Sequence, residues 1–441
     1  MTGEALPGRP GTLTPTEEEK LREFWIATLQ VFGVIPKERD ESKETRSAKT
    51  DSSDSKKPKK KKLSLFRKTK EEDPEKVSSP QNAEDDKYGQ TKEFQDALSN
   101  MSPELLRATF WGMVKHDHPD ALLLRFLRAR KWDVDKALVM MVSTMRWRST
   151  EVRVDDDIMK NGELGYLEDS TGTDAAKKKL GHDFLAQMRL GKSFLHGLDK
   201  SGRPMCFVRV RLHKQGEHSE ESLEKYTVFV IESARMILSP PVDTADYGPV
   251  KFMIKCFEAN YPESLGVVLV HKAPWIFQGI WKIIRGWLDP VVASKVQFTN
   301  SNDEMEQFVP RSQIIKELGG DEDWEYKYIE PVPGENDKMK DTVTRDKLLK
   351  ERETLVDQYE KSTLDWINGE GDAVLVKETR NKLAAALRDD YWRLDPYLRA
   401  RTIYDRVGMI QGGGILQFYP DKAEAPTNGN KPTETSAADL D

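Results

Sequence analysis

Gly266-Val267-Val268-Leu269-Val270, then Pro274-Trp275-Ile276-Phe277-Gln278-Gly279-Ile280-Trp281-Lys282-Ile283-Ile284-Arg285-Gly286-Trp287-Leu288, then Lys295-Val296-Gln297-Phe298-Thr299: these three runs decide the fold. The first is short, apolar and β-branched, which predicts a buried parallel strand, and the last predicts a second strand. Between them Gln278, Lys282 and Arg285 fall at i, i+4 and i+7, a single narrow polar stripe on a helix that is otherwise apolar. Strand, helix and strand make a βαβ unit, right-handed by default. A helix so apolar must bury two sides. An ordinary core helix meets that need, but three tryptophans suit a water–lipid boundary, where the indole ring and its N–H find different surroundings.

Upstream, residues 193–196 and 205–212 flank Asp199-Lys200-Ser201-Gly202-Arg203, whose glycine and polar residues suit a hairpin. Helices are predicted at about 219–238 and 250–260. Leu123, Leu124, Phe126, Leu127, Ala137, Leu138, Met141 and Met145 predict a compact helical lobe, with Asp133 as an N-cap. Residues 14–32 read as an amphipathic helix capped by Thr14 or Thr16, with Leu21, Phe24, Trp25, Thr28 and Leu29 on one stripe. Beyond Lys340, helices at 345–368 and 379–399 carry dense charge. They either pack across the core or project as an interaction arm.

At 441 residues, 33% of them charged, the chain suggests two or three units within polar arms. The expected division is an amphipathic helix (1–35), a disordered insert (36–92), a helical lobe (93–150), a main domain (151–330), a helical extension (340–420) and a disordered tail (421–441). Cys206 and Cys256 are too few for a disulfide framework and have no metal-ligand spacing. No signal peptide or run of about 18 apolar residues is evident, so membrane contact is expected to be peripheral and the location cytoplasmic. Nine basic residues and no acidic one lie between Lys56 and Lys70; solvated linker, membrane tether and import signal are all open readings. The histidines form no catalytic group, and Gly412-Gly413-Gly414 lacks the lysine of a phosphate loop. No enzyme activity and no metal are expected.

Three blocks carry a resemblance. Leu124-Arg125-Phe126-Leu127-Arg128-Ala129-Arg130-Lys131-Trp132-Asp133, Phe257-Glu258-Ala259-Asn260-Tyr261-Pro262-Glu263-Ser264-Leu265-Gly266 and Leu288-Asp289-Pro290-Val291-Val292-Ala293-Ser294-Lys295 resemble, in order and spacing, the CRAL-TRIO lipid-binding family. The match favours its fungal Sec-fourteen-type phosphatidylinositol-transfer branch, to which Leu6-Pro7-Gly8-Arg9-Pro10-Gly11 is also similar. The resemblance, over about residues 120–321, implies an α/β fold: a helical amino-terminal lobe on a mixed, mainly parallel sheet, with a pocket for one lipid and a mobile gate helix. The gate falls on Trp275, Ile276, Phe277, Ile280, Trp281, Ile284 and Trp287. A phosphoinositide headgroup site is implied at Arg130, Glu263 and Lys295.

That chemistry is sound, because two cations can pair with a phosphodiester while a carboxylate accepts from an inositol hydroxyl or orients the lysine. On the residues alone, a structural ion pair between Glu263 and Lys295 is the blander reading. The expected function is non-catalytic phosphatidylinositol transfer between membranes, with the bound lipid in place of any cofactor. Partners are membrane lipids and a transient membrane surface, with a protein partner through the carboxy-terminal helices left open and no nucleic acid. The alternatives are a carrier or sensor of a neutral sterol- or squalene-like lipid, and a scaffold with an inactive pocket.

One departure from the family stands out. Between Leu238 and Val250 the family has a further strand, where this chain has only Ser239-Pro240-Pro241-Val242-Asp243-Thr244-Ala245-Asp246-Tyr247-Gly248-Pro249. Three prolines make a poor strand. A strand therefore reads as deleted, and with it the serine and threonine that the resemblance assigns to phosphocholine.

Overall fold

The structure is a computed structural model and describes residues 6–36, 86, 88–214, 216–238, 256–275, 277–286 and 288–420. Most of the expected insert, its basic tract, the connection expected to lack a strand, the start of the helix expected at 250–260 and the tail lie outside the described residues.

The helical lobe comprises α1 (Pro15–Val31), α2 (Gln90–Asn100), α3 (Pro103–Val114), α4 (Pro119–Ala129) and α5 (Val134–Arg146). Thr14 caps α1 reciprocally with Glu17, satisfying orphan donors at the helix start. The stripe Leu21, Phe24, Trp25, Thr28 and Leu29 is buried against α4 and α5. Asp133 caps α5 by accepting from Lys136 N at 3.0 Å, and the apolar positions expected of this lobe are all buried. α2 begins at Gln90 rather than Glu93, because Gly89 takes a left-handed conformation there (φ 69°).

Next come α6 (Met159–Thr171), α7 (Ala175–Leu190) and α8 (Glu220–Met236), which pack together beside the hairpin of β1 (Ser193–Leu198) and β2 (Pro204–Val208). The strands are antiparallel, with Ser193 opposite Val208. In the turn, the Asp199 carboxylate accepts from Ser201 N and Arg203 N, each at 2.8 Å. β2 stops at Val208, short of the expected Leu212. There Arg209 lays its guanidinium 4.9 Å above the Phe194 ring and pairs with Glu317, and Val210–Leu212 coils into a 3-10 turn. Three tyrosines line the outer side of β1. Tyr226, Tyr404 and Tyr419 hydroxyls accept from the backbone N–H of Ser193, Leu195 and Leu198 at 2.7, 3.1 and 3.0 Å.

The βαβ unit is present as β3 (Val268–His271), α9 (Phe277–Arg285), α10 (Pro290–Ser294) and β4 (Val296–Thr299). β3 and β4 are parallel and pair from Val268–Val296 to His271–Thr299. The α/β architecture is as expected, but the described strands form two separate pairs, one antiparallel and one parallel, instead of one mixed sheet. The expectation that β3 is buried therefore needs correction. Only Val268 is buried and the rest of the strand is half-buried, since no third described strand flanks it.

The carboxy-terminal helices α11 (Thr342–Asn368) and α12 (Ala373–Leu398) pack on each other and on the lobe instead of projecting. Tyr359, Trp366 and Leu387 join the same core as Trp25 and Phe110. Their dense charge is partly internal: Arg352 pairs with Asp390 at 3.3 Å, and Arg380 reaches Asp120 on α4. Among the described residues no helix is long and apolar enough to cross a membrane.

Candidate functional site

The parallel pairing of β3 and β4 sets the amino ends of both strands side by side. Lys295 caps α10 immediately before β4, and its carbonyl accepts from Val268 N at 2.9 Å, fixing it to the first residue of β3. Glu263 sits in the loop that leads into β3, with a left-handed backbone (φ 55°), a conformation that is uncommon outside glycine. The two side chains, each about four-fifths buried, face one another with Lys295 Nζ 3.9 Å from Glu263 Oε2. That separation exceeds a direct hydrogen bond of about 2.7–3.2 Å, so each group keeps capacity for a third partner.

Arg130, at the end of α4, is engaged elsewhere. Its Nη2 donates to Gln90 Oε1 at 2.6 Å, and Gln90 Nε2 donates to the Ala259 carbonyl at 3.0 Å. Two residues earlier, the Tyr88 hydroxyl donates to Glu258, whose other oxygen accepts from Asp289 N, the cap of α10, at 2.7 Å. Burial, then Glu258, pushes the Tyr88 phenol well above its ordinary value, so it stays a donor. Tyr88 and Gln90 thus form a short strap joining Arg130 to the turn at Cys256–Asn260 that precedes Glu263. Nothing in the sequence marks this strap, since it depends on contacts some 170 residues apart.

Of the expected gate residues, Phe277 and Trp281 pack on Phe298 of β4, with ring centroids 6.2 and 5.5 Å apart. Ile284 is half-buried, while Trp275 is 85% and Ile283 59% exposed. Lys282 and Arg285 are exposed, as the polar stripe requires. Ile276, Trp287 and the side chain of Ile280 lie outside the described set. His271 meets Thr299 Oγ1 at 3.0 Å; burial and then Lys272 lower its pKa, which suits a neutral hydrogen-bonded residue.

Comparison with known proteins identifies the family. The CRAL/TRIO domain family matches residues 188–320, and the CRAL/TRIO amino-terminal domain matches residues 90–143. A CRAL-TRIO domain-containing protein of Schizosaccharomyces pombe is 44% identical over 91% of this chain and 92% of its own length. The phosphatidylinositol transfer protein CSR1 of Eremothecium gossypii is 36% identical over 93% of this chain and all of its own. Among solved structures, Sfh5 aligns with 50% of this chain and 83% of its own at 15% identity and a TM-score of 0.33. On the identity and near-complete coverage of the first two relatives, the chain belongs to the CRAL-TRIO family.

Proposed function

We propose that this chain binds one phosphatidylinositol molecule and moves it between membranes without altering it chemically. The observation that carries this reading is the loose Glu263–Lys295 pair. A structural ion pair gains by close contact, whereas 3.9 Å leaves room for a phosphate oxygen on Lys295 and an inositol hydroxyl on Glu263. Arg130 completes the headgroup site once a phosphate displaces Gln90. The transfer activity named for the Eremothecium gossypii relative supports the same class of cargo.

In this reading α9 is the gate over an apolar pocket. Phe277 and Trp281 rest on Phe298, in the strand that begins beside Lys295, so movement of α9 and access to the headgroup are linked. Exposed Trp275 and Ile283, flanked by Lys282 and Arg285, are the groups that meet a membrane surface during exchange. Contact is peripheral, and the bound lipid stands in place of a cofactor.

Native mass spectrometry of the full chain, with extraction and identification of the released lipid, tests this. One phosphatidylinositol per chain is expected. Recovery of a sterol or squalene-like lipid moves the chain to neutral-lipid transport, and a folded chain without lipid moves it to a scaffold.

A further inference from the structure

A small cleft separates the helical lobe from the loop that bears Glu263. Arg125 of α4, Arg148 beyond α5, Arg235 of α8, Asn260, Tyr261 and Ser264 line it. Three of those residues are arginines, and two have well-defined carboxylate partners. Arg148 donates to Glu232 at 2.7 and 3.0 Å and to Asp155 at 2.6 and 2.7 Å. Arg235 donates to Glu232 at 3.2 Å and to the Met113 carbonyl at 2.9 Å. Glu232 also takes the Tyr261 hydroxyl at 2.8 Å and lies 3.2 Å from Lys115 Nζ. Burial opposes its charge, but Arg148, Lys115 and Arg235 hold its carboxyl well below the usual range.

Arg125 differs. It is only 3% exposed, and neither its Nε nor its Nη2 has a hydrogen-bond partner. Nη2 stands 3.0 Å from Asp117 Oδ2, which gives charge attraction without hydrogen-bond alignment. Around the cleft, Lys115, Arg125, Arg148 and Arg235 meet three carboxylates, Asp117, Asp155 and Glu232, an excess of one positive charge. A buried donor without an acceptor costs roughly 1–3 kcal/mol, and more when it is charged. Both deficits have one sign: donors lack acceptors, and positive charge lacks negative charge. A water would supply only the acceptor. An anion supplies both.

We propose that this cleft binds one halide-sized inorganic anion, held by Nε and Nη2 of Arg125 in the positive field of Arg148 and Arg235. The cleft has room for a water-sized or halide-sized occupant. The anion bridges α4 of the lobe to the loop at Asn260–Ser264. Thermal unfolding of the full chain, with sodium chloride exchanged for sodium gluconate at constant ionic strength, reads the binding. A saturable rise in Tm of roughly 3 °C is expected for wild type, and no rise for Arg125→Gln. Should that variant fail to fold, bromide-soaked crystals of the wild type decide, through an anomalous peak beside Arg125 Nε. Equal melting in both salts, a water in place of the bromide peak, or a response to phosphate but not to halide each overturns the assignment.

Discussion

Arg380 and Asp120, 260 residues apart in the chain, meet with Nη2 2.6 Å from Oδ1. The same oxygen accepts from Trp25 Nε1 at 2.7 Å and from the Tyr359 hydroxyl at 3.0 Å, so one carboxylate ties α1, α4, α11 and α12 together. Burial opposes its charge, yet Arg380, His118 and the Trp25 hydrogen bond hold its pKa below the ordinary value. Arg380→Met takes from that buried anion its nearest cation, leaving His118, Trp25 and Tyr359 around it. The expected loss is roughly 3–5 kcal/mol, read from the urea midpoint at unchanged slope. A loss under about 1 kcal/mol would mean that Trp25 and Tyr359 suffice.

Lys295→Ala combined with Glu263→Ala is expected to abolish phosphatidylinositol transfer between vesicles. Stability changes little, by about 1 kcal/mol or less, because the two groups are only loosely paired. Transfer at the wild-type rate would return the pair to a structural role.

Gln90→Ala removes the group that Arg130 now holds. A charge-assisted hydrogen bond of this kind contributes roughly 1.5 kcal/mol or more, so phosphatidylinositol affinity is expected to rise by about tenfold. The Ala259 carbonyl keeps Thr144 Oγ1 at 3.2 Å, which limits the structural cost. A fall in affinity, measured on vesicles of fixed lipid composition, would show that Gln90 positions Arg130 for the headgroup instead of competing with it.

His116 and His118 are both held below their ordinary pKa, in each case mainly by burial. The sign follows directly. Above about pH 6.5 both are neutral in either state and contribute nothing; below it the unfolded chain takes up protons that the folded chain refuses. Stability is therefore expected to fall as pH drops from about 6.5 towards 5, by up to roughly 1.4 kcal/mol per pH unit for each histidine. Chemical denaturation across that range checks it, and His116→Gln should reduce the slope.

Local rules carried much of the fold. The caps at Thr14 and Asp133, the stripe of α1, the hairpin turn at Asp199 and the βαβ unit all depend on near neighbours, so periodicity and turn chemistry suffice. What escaped was set by distant partners. The strap of Tyr88 and Gln90, the Asp120 hub and the saturated Glu232 are polar residues whose burial is decided by groups far away in sequence. The end of β2 escaped for the same reason, since Arg209 leaves the ladder for Phe194 and Glu317. The family blocks point to Glu263 and Lys295, and their proximity follows from the parallel register of β3 and β4.

The tyrosines beside β1 have a consequence for how the molecule survives at high concentration. A bare outer strand offers a row of N–H groups on which another chain can add by backbone pairing, the first step towards fibrous aggregates. Tyr226, Tyr404 and Tyr419 occupy that row, and two of the three come from the last stretch of described chain. The carboxy-terminal stretch is thus a guard against self-association as well as a brace. Truncation before Tyr404 would be felt as lost solubility before any change in cargo.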